Sequence, residues 1–148
     1  MKYRSFLLGI ALVIYLISFG CAAVNHVDPE NAALEKQQEI AMGESLIKAF
    51  QKGDIKLFYS NLTVEGRQVW GTKEFEFECR NIRERWGEID SFRYLTQLEM
   101  EPTHQYVWAV KFKRNSSPGG KPVYQDVLFV ILTGKIDGKA KVFLFGFK

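Results

Sequence analysis

The chain has 148 residues, 47% of them hydrophobic and 14% aromatic, which is enough for one globular domain with a sizeable core. Its 20 basic and 17 acidic residues give a formal charge of +3, which argues against the concentrated basic surface that nucleic-acid binding uses. Two cysteines exclude a multi-bridge disulfide framework, so stability must come from packing.

The amino terminus has the layout of an export signal. Lys2 and Arg4 give a positive start, Phe6 to Phe19 an almost uninterrupted apolar run, and Gly20 the small residue needed at a signal-peptidase cut. Cys21 follows directly. The run Ile17-Ser18-Phe19-Gly20-Cys21 resembles the lipobox of bacterial lipoproteins. That resemblance implies a signal peptide at residues 1–20, cleavage before Cys21, and a lipid such as palmitate on the Cys21 thiol. It also implies a place in the cell envelope, with the membrane held through the lipid. Because Ala22 and not Asp follows, the resemblance points to the outer membrane facing the periplasm if the cell is Gram-negative. Two rival readings are an uncleaved anchor and an ordinary cleaved signal with an incidental cysteine. An uncleaved span needs about 20 apolar residues, more than Phe6 to Phe19 supplies. Once Lys2 and Arg4 leave with the signal, the remaining chain is nearly neutral. A lipid on Cys21 would also leave Cys79 without an intramolecular partner.

Residues 21–27 read as a short tether and 28–148 as a single domain. Asp28-Pro29-Glu30 is a strong helix start, with a capping side chain, a proline at the first turn and an acid near the positive end of the helix dipole. The spacing predicts a helix from about Pro29 to Lys52, with a core stripe of Ile40, Gly43, Leu46, Ile47 and Phe50, stopped by Gly53. Asp54 should cap a second short helix carrying Ile55, Leu57, Phe58 and Tyr59. Asn61 to Gly71 carries weak signals, with Leu62-Thr63-Val64 suited to an extended segment. Thr72 is expected to cap a third helix over Lys73 to Trp86, whose apolar face is Phe75, Cys79, Ile82 and Trp86. That setting makes Cys79 a small buried hydrophobe.

From Ser91 onward the pattern is that of a sheet. In Ser91 to Glu101, alternation puts Phe92, Tyr94, Thr96, Leu98 and Met100 on one face. In His104 to Arg114 it sets Tyr106, Trp108, Val110 and Phe112 against Gln105, Val107 and Ala109. Val123 to Thr133 is apolar on both sides, as in a central strand, and Asp137-Gly138 predicts a tight hairpin into Lys139 to Lys148. The fold class is therefore α+β, with N-terminal helices packed on a curved antiparallel sheet. This element order, the Trp86-Gly87-Glu88-Ile89 junction and the Asp137-Gly138-Lys139 hairpin resemble the cone-shaped fold of the nuclear-transport-factor-like and ketosteroid-isomerase-like superfamily. The resemblance covers about Asp28 to Lys148 and speaks to fold, not chemistry.

That fold implies a pocket between helices and sheet. Tyr94, Tyr106, Trp108 and Tyr124 are the candidates to line it, and Asp126 is the candidate general base for an enzyme reading. An isolated strand Asp is more often solvated or paired to a Lys or Arg. His104 has no ligand spacing with a second His or Cys, so no metal and no cofactor are expected. Lys111, Lys113, Arg114 and Lys121 cluster around one hairpin and suit anionic head groups or an acidic partner, or a solvated hairpin that resists edge pairing. The leading expectation is a non-enzymatic, membrane-anchored lipoprotein binding a protein partner or a small apolar ligand. The alternatives are an envelope enzyme using Asp126 and an accessory subunit of an envelope complex.

Overall fold

The structure, a computed structural model, describes residues 29–115 and 120–148. The expected signal peptide, Cys21 and the tether lie outside the described residues. By contacts the chain divides into Met1–Asn31 and Ala32–Lys148, and the packing below is that of the second unit. Helix α1 spans Pro29–Lys52. It stops at Gly53, whose φ of 67° is the left-handed geometry a helix end asks of glycine. Helix α2, Ile55–Ser60, is capped as expected: the Asp54 carboxylate accepts from the Lys56 and Leu57 amides, each at 3.0 Å.

The segment with weak signals resolves into a short helix, α3, Val64–Val69. The Thr63 hydroxyl accepts from the Gly66 amide at 3.0 Å, so Thr63 starts a helix and does not lie mid-strand. Leu62 alone keeps an extended contact, a single parallel bridge to Val142. Helix α4 spans Thr72–Trp86. Its N-cap is Gly71, without a side-chain hydrogen bond, so Thr72 is the first helical residue and not the cap. Phe75, Cys79 and Ile82 are buried along one face of α4, as their spacing predicts. Among the described residues no helix is long and apolar enough to cross a membrane.

Four antiparallel strands follow in simple order: β1 Glu88–Met100, β2 Thr103–Asn115, β3 Pro122–Ile136 and β4 Lys139–Phe147. The β3–β4 turn is the expected one, with Asp137 at φ 50° and Gly138 at φ 72°, the positive pair a two-residue hairpin needs. One face of the sheet is buried under the helices. Tyr106, Trp108, Val110 and Phe112 of β2 lie in register with Ile131, Phe129, Val127 and Gln125 of β3, and directly opposed residues share a face.

Strand β1 departs from strict alternation. Its register slips between Ile89 and Ser91 and again between Tyr94 and Thr96. Such bulges add an unpaired residue and bend the strand, which curves the sheet around the helices. The second slip also reverses the faces. Tyr94 pairs with buried Trp108, but Thr96 pairs with Val107 and Leu98 with Gln105, on the side away from the helices. Phe92 and Tyr94 therefore face the helices, whereas Thr96, Leu98 and Met100 do not, correcting the single face expected from the pattern.

Candidate functional site

The helix side of the sheet is filled by side chains. Trp108, Tyr106, Phe58, Phe75, Phe112 and Phe129 are fully buried there. Helix α1 crosses this layer at Gly43, directly above Trp108: a Cβ built on Gly43 would fall 2.1 Å from the indole ring. Tyr94 and Tyr106 flank the same indole, with ring centroids at 5.7 and 6.3 Å. Three of the expected pocket residues thus do come together. Tyr106 and Trp108 are core residues there, however, and not walls of an open cavity.

One turn before Gly43, α1 places Glu39 into the same layer at 2% exposure. Its Oε2 accepts from the Tyr106 hydroxyl at 2.5 Å and contacts His104 Nδ1 at 3.0 Å. The Thr133 hydroxyl donates to the His104 carbonyl at 3.3 Å, tying β3 to the base of the group. Burial pushes the Tyr106 phenol far above its usual range, and the bonded Glu39 carboxylate adds to the effect. Burial raises the Tyr94 phenol as well. Tyr106 therefore stays a protonated donor at any physiological pH. The Tyr106 hydroxyl donates to the Glu39 carboxylate and His104 lies against the same oxygen, a fastening between α1 and β2. The Trp108 indole N–H is buried beside this group and has no hydrogen-bond partner among the described residues. Among the described residues no three His, Cys, Asp or Glu side chains converge as metal ligands.

Glu39 is not among the residues that polarity alone assigns to the core. Its signal is the spacing Glu39-Gly43-Leu46-Phe50, which puts a carboxylate on the buried stripe of α1.

Asp126 and Tyr124 stand on the other face of the sheet. Asp126 is exposed and in register with Lys111, and Tyr124 is half exposed and in register with Lys113. Neither reaches the Glu39–Tyr106 group, which corrects their placement as pocket residues. The physical reason is parity: with Val127, Phe129 and Ile131 on the buried face, Tyr124, Asp126 and Leu128 fall on the outer one. Cys79 is a free thiol, buried in α4, and its pKa is raised chiefly by that burial.

The outer face of the sheet is divided. Near the β2–β3 hairpin it carries Lys111, Lys113, Asp126 and Tyr124. Towards the β1–β2 and β3–β4 turns it becomes apolar. Leu98, Met100, Val107, Leu128, Leu132 and Leu144 line a groove there of about 670 Å³, with Lys148 also in its wall. Leu144 is 63% exposed, and Leu98, Met100 and Leu128 are each about half exposed. The β1 bulge is what delivers Leu98 and Met100 to this groove.

The helices followed by a curved four-stranded antiparallel sheet define an α+β protein of the NTF2-like, cone-shaped fold. A solved structure of a designed NTF2-like protein of the Rd1NTF2_05 series supports this, with a TM-score of 0.51 and 14% identity over 77% of this chain and 99% of that one. A SEC-C motif containing protein from Rhodopseudomonas palustris is more distant, with a TM-score of 0.43 and 16% identity over 67% of this chain and 70% of that one. No protein-family model matches the chain, and no curated protein matches it.

Proposed function

We propose that the protein is a membrane-anchored bacterial lipoprotein of the cell envelope, held through a lipid on Cys21, whose non-enzymatic domain binds a protein partner or a small apolar ligand on its outer sheet face. The Cys21 part is supported by the signal-like residues 1–20 and the run ending in Gly20-Cys21. The observation that carries the binding part is the exposed apolar groove around Leu128 and Leu144. Its volume falls in the range of ligand clefts, and large apolar patches on folded domains mark contact surfaces. The helix side supports the same choice, because its aromatic residues are spent on the core.

Two arms test the proposal in cells. Labelled palmitate should enter the wild type and not the Cys21→Ser variant. A photoreactive residue at Leu128 should give a discrete adduct, and one at Lys111, on the charged half of the same face, should not. Equal labelling of wild type and C21S would defeat the anchor. Absence of an adduct at Leu128, or the same adduct from Lys111, would defeat the binding face.

A further inference from the structure

The apolar end of the sheet is also the end at which α1 begins. Strands β1 and β2 join at Glu101-Pro102, and β3 and β4 at Asp137-Gly138. His104 pairs with Thr133, which puts both turns at one end. Three contacts fix the direction of α1 across the sheet. Glu35 pairs with Lys135 at 2.8 Å, Glu39 meets His104 at 3.0 Å, and Gly43 sits over Trp108. These partners step from the β3–β4 turn towards the middle of the sheet, so the chain enters the domain at its turn end.

That end carries apolar side chains where turns are ordinarily polar. Met100 is the last residue of β1 and Ile136 the last of β3. Leu98 stands two residues before Met100. Phe143 of β4 lies against Gly134, where a Cβ would meet its ring at 2.5 Å. With Leu34 of α1, these side chains are each 41–53% exposed, and they come from four different elements. Charge at this end is close to balanced, with Lys36, Lys135 and Lys139 against Glu35, Glu99, Glu101 and Asp137. What it offers a lipid surface is therefore apolar insertion and not attraction to anionic lipid.

We propose that this turn end rests on the bilayer that holds the Cys21 lipid, with Met100, Ile136 and Phe143 entering the headgroup region; the pose depends on the anchor proposed above. The reach of the chain selects this end. The eleven residues Cys21 to Asn31, of which Pro29 to Asn31 are helical, span at most about 32 Å. Strand β2 has 13 residues, about 43 Å of extended chain. The hairpin of Lys111, Lys113, Arg114 and Lys121 lies at its far end, so the domain cannot stand on that hairpin while Cys21 stays in the membrane. Leu128 lies eight residues before Ile136 on β3, about 26 Å from the tip, whereas interfacial insertion is about 5–10 Å deep. That part of the groove stays clear of the bilayer and open to a partner.

The test uses the full-length protein, purified from cells and reconstituted in phosphatidylcholine vesicles, with the mass of the Cys21 peptide reporting the anchor. A photoreactive residue at Met100 or Ile136 should form an adduct of one phospholipid mass. Its yield should exceed that from exposed Val123, beside the β2–β3 hairpin, by about tenfold or more. The yield should be unchanged by added phosphatidylglycerol, or by about 1 M salt, which screens charge within ~3 Å. A Leu98→Asp/Ile136→Asp double variant should lower the adduct from Met100 by about tenfold or more. Equal adducts at the two ends, a crosslinked dimer in place of the phospholipid, adducts that need anionic lipid, or an unchanged yield in a folded double variant would overturn the pose and leave the anchor standing. If the double variant does not fold, the comparison of Met100 with Val123 decides. A Cys21 peptide without lipid would defeat the anchor and the pose together.

Discussion

Gly43→Ala reverses the usual expectation for a helix. In an exposed helix interior, replacing glycine by alanine stabilises by about 1 kcal/mol. At Gly43 the new methyl would lie 2.1, 2.5 and 2.7 Å from three carbons of the Trp108 ring. Carbon atoms rest at about 3.5–4.0 Å, so the nearest contact is short by roughly 1.5 Å. The indole has little room to retreat. Trp108 is fully buried, with Tyr94, Tyr106 and Phe129 around it at centroid distances of 5.7, 6.3 and 6.2 Å. Overpacking of this kind costs about 1–3 kcal/mol or more. A clash with three ring carbons belongs at the upper end. After the helix gain, the net expectation is a loss of about 2 kcal/mol. Equilibrium urea unfolding measures it, with exposed Ala41→Gly in the same helix as calibrator for the propensity difference, itself expected to cost about 1 kcal/mol. A Gly43→Ala protein as stable as the wild type, or more so, would show that α1 does not sit against Trp108 and would refute the packing that closes the helix side.

Glu39→Ala should cost about 3 kcal/mol, because it strands the buried Tyr106 hydroxyl. A double-mutant cycle with Tyr106→Phe, read by urea unfolding, should show coupling of at least about 1 kcal/mol. The raised phenols of Tyr106 and Tyr94 make the fold alkali-sensitive. Above the ordinary tyrosine value of about 10 the unfolded chain loses protons that the folded chain keeps. Stability contributed by these groups is therefore full below pH 10 and falls as pH rises, by up to about 1.4 kcal/mol per unit for each phenol. Phenolate absorbance should show Tyr106 ionising only as the protein unfolds, and Tyr106→Phe should flatten the alkaline limb of a stability-versus-pH curve. Asp54→Ala removes two capping contacts of 3.0 Å and should lower stability by about 1 kcal/mol in the same unfolding assay.

What was legible in the sequence is what rests on local chemistry. The Asp54 cap, the Gly53 stop, the buried face of α4 and the Asp137-Gly138 turn each follow from a few neighbouring residues, and the structure has them where the spacing puts them. The failures in the sheet have a common physical origin in parity. A bulge adds one residue without any compositional signature, and because strand side chains alternate, one residue exchanges the faces of everything beyond it. That exchange at Tyr94/Thr96 is what moved Leu98 and Met100 from the core into the outer groove. Asp126 was misplaced for a related reason: a strand apolar on both faces gives no hint of which parity meets the helices. That choice is settled by long-range register with β2, where Phe129 opposes Trp108. Glu39 is a third kind of omission. A carboxylate on a buried helix stripe is excluded by any reading that sorts residues by polarity alone, and it is admissible only because Tyr106, more than sixty residues later, donates to it and His104 lies within 3.0 Å of the same oxygen. The groove and the buried carboxylate are both products of tertiary register. For that reason the surface most open to experiment, the apolar half of the outer face, is lined by leucines that local pattern assigns to the core.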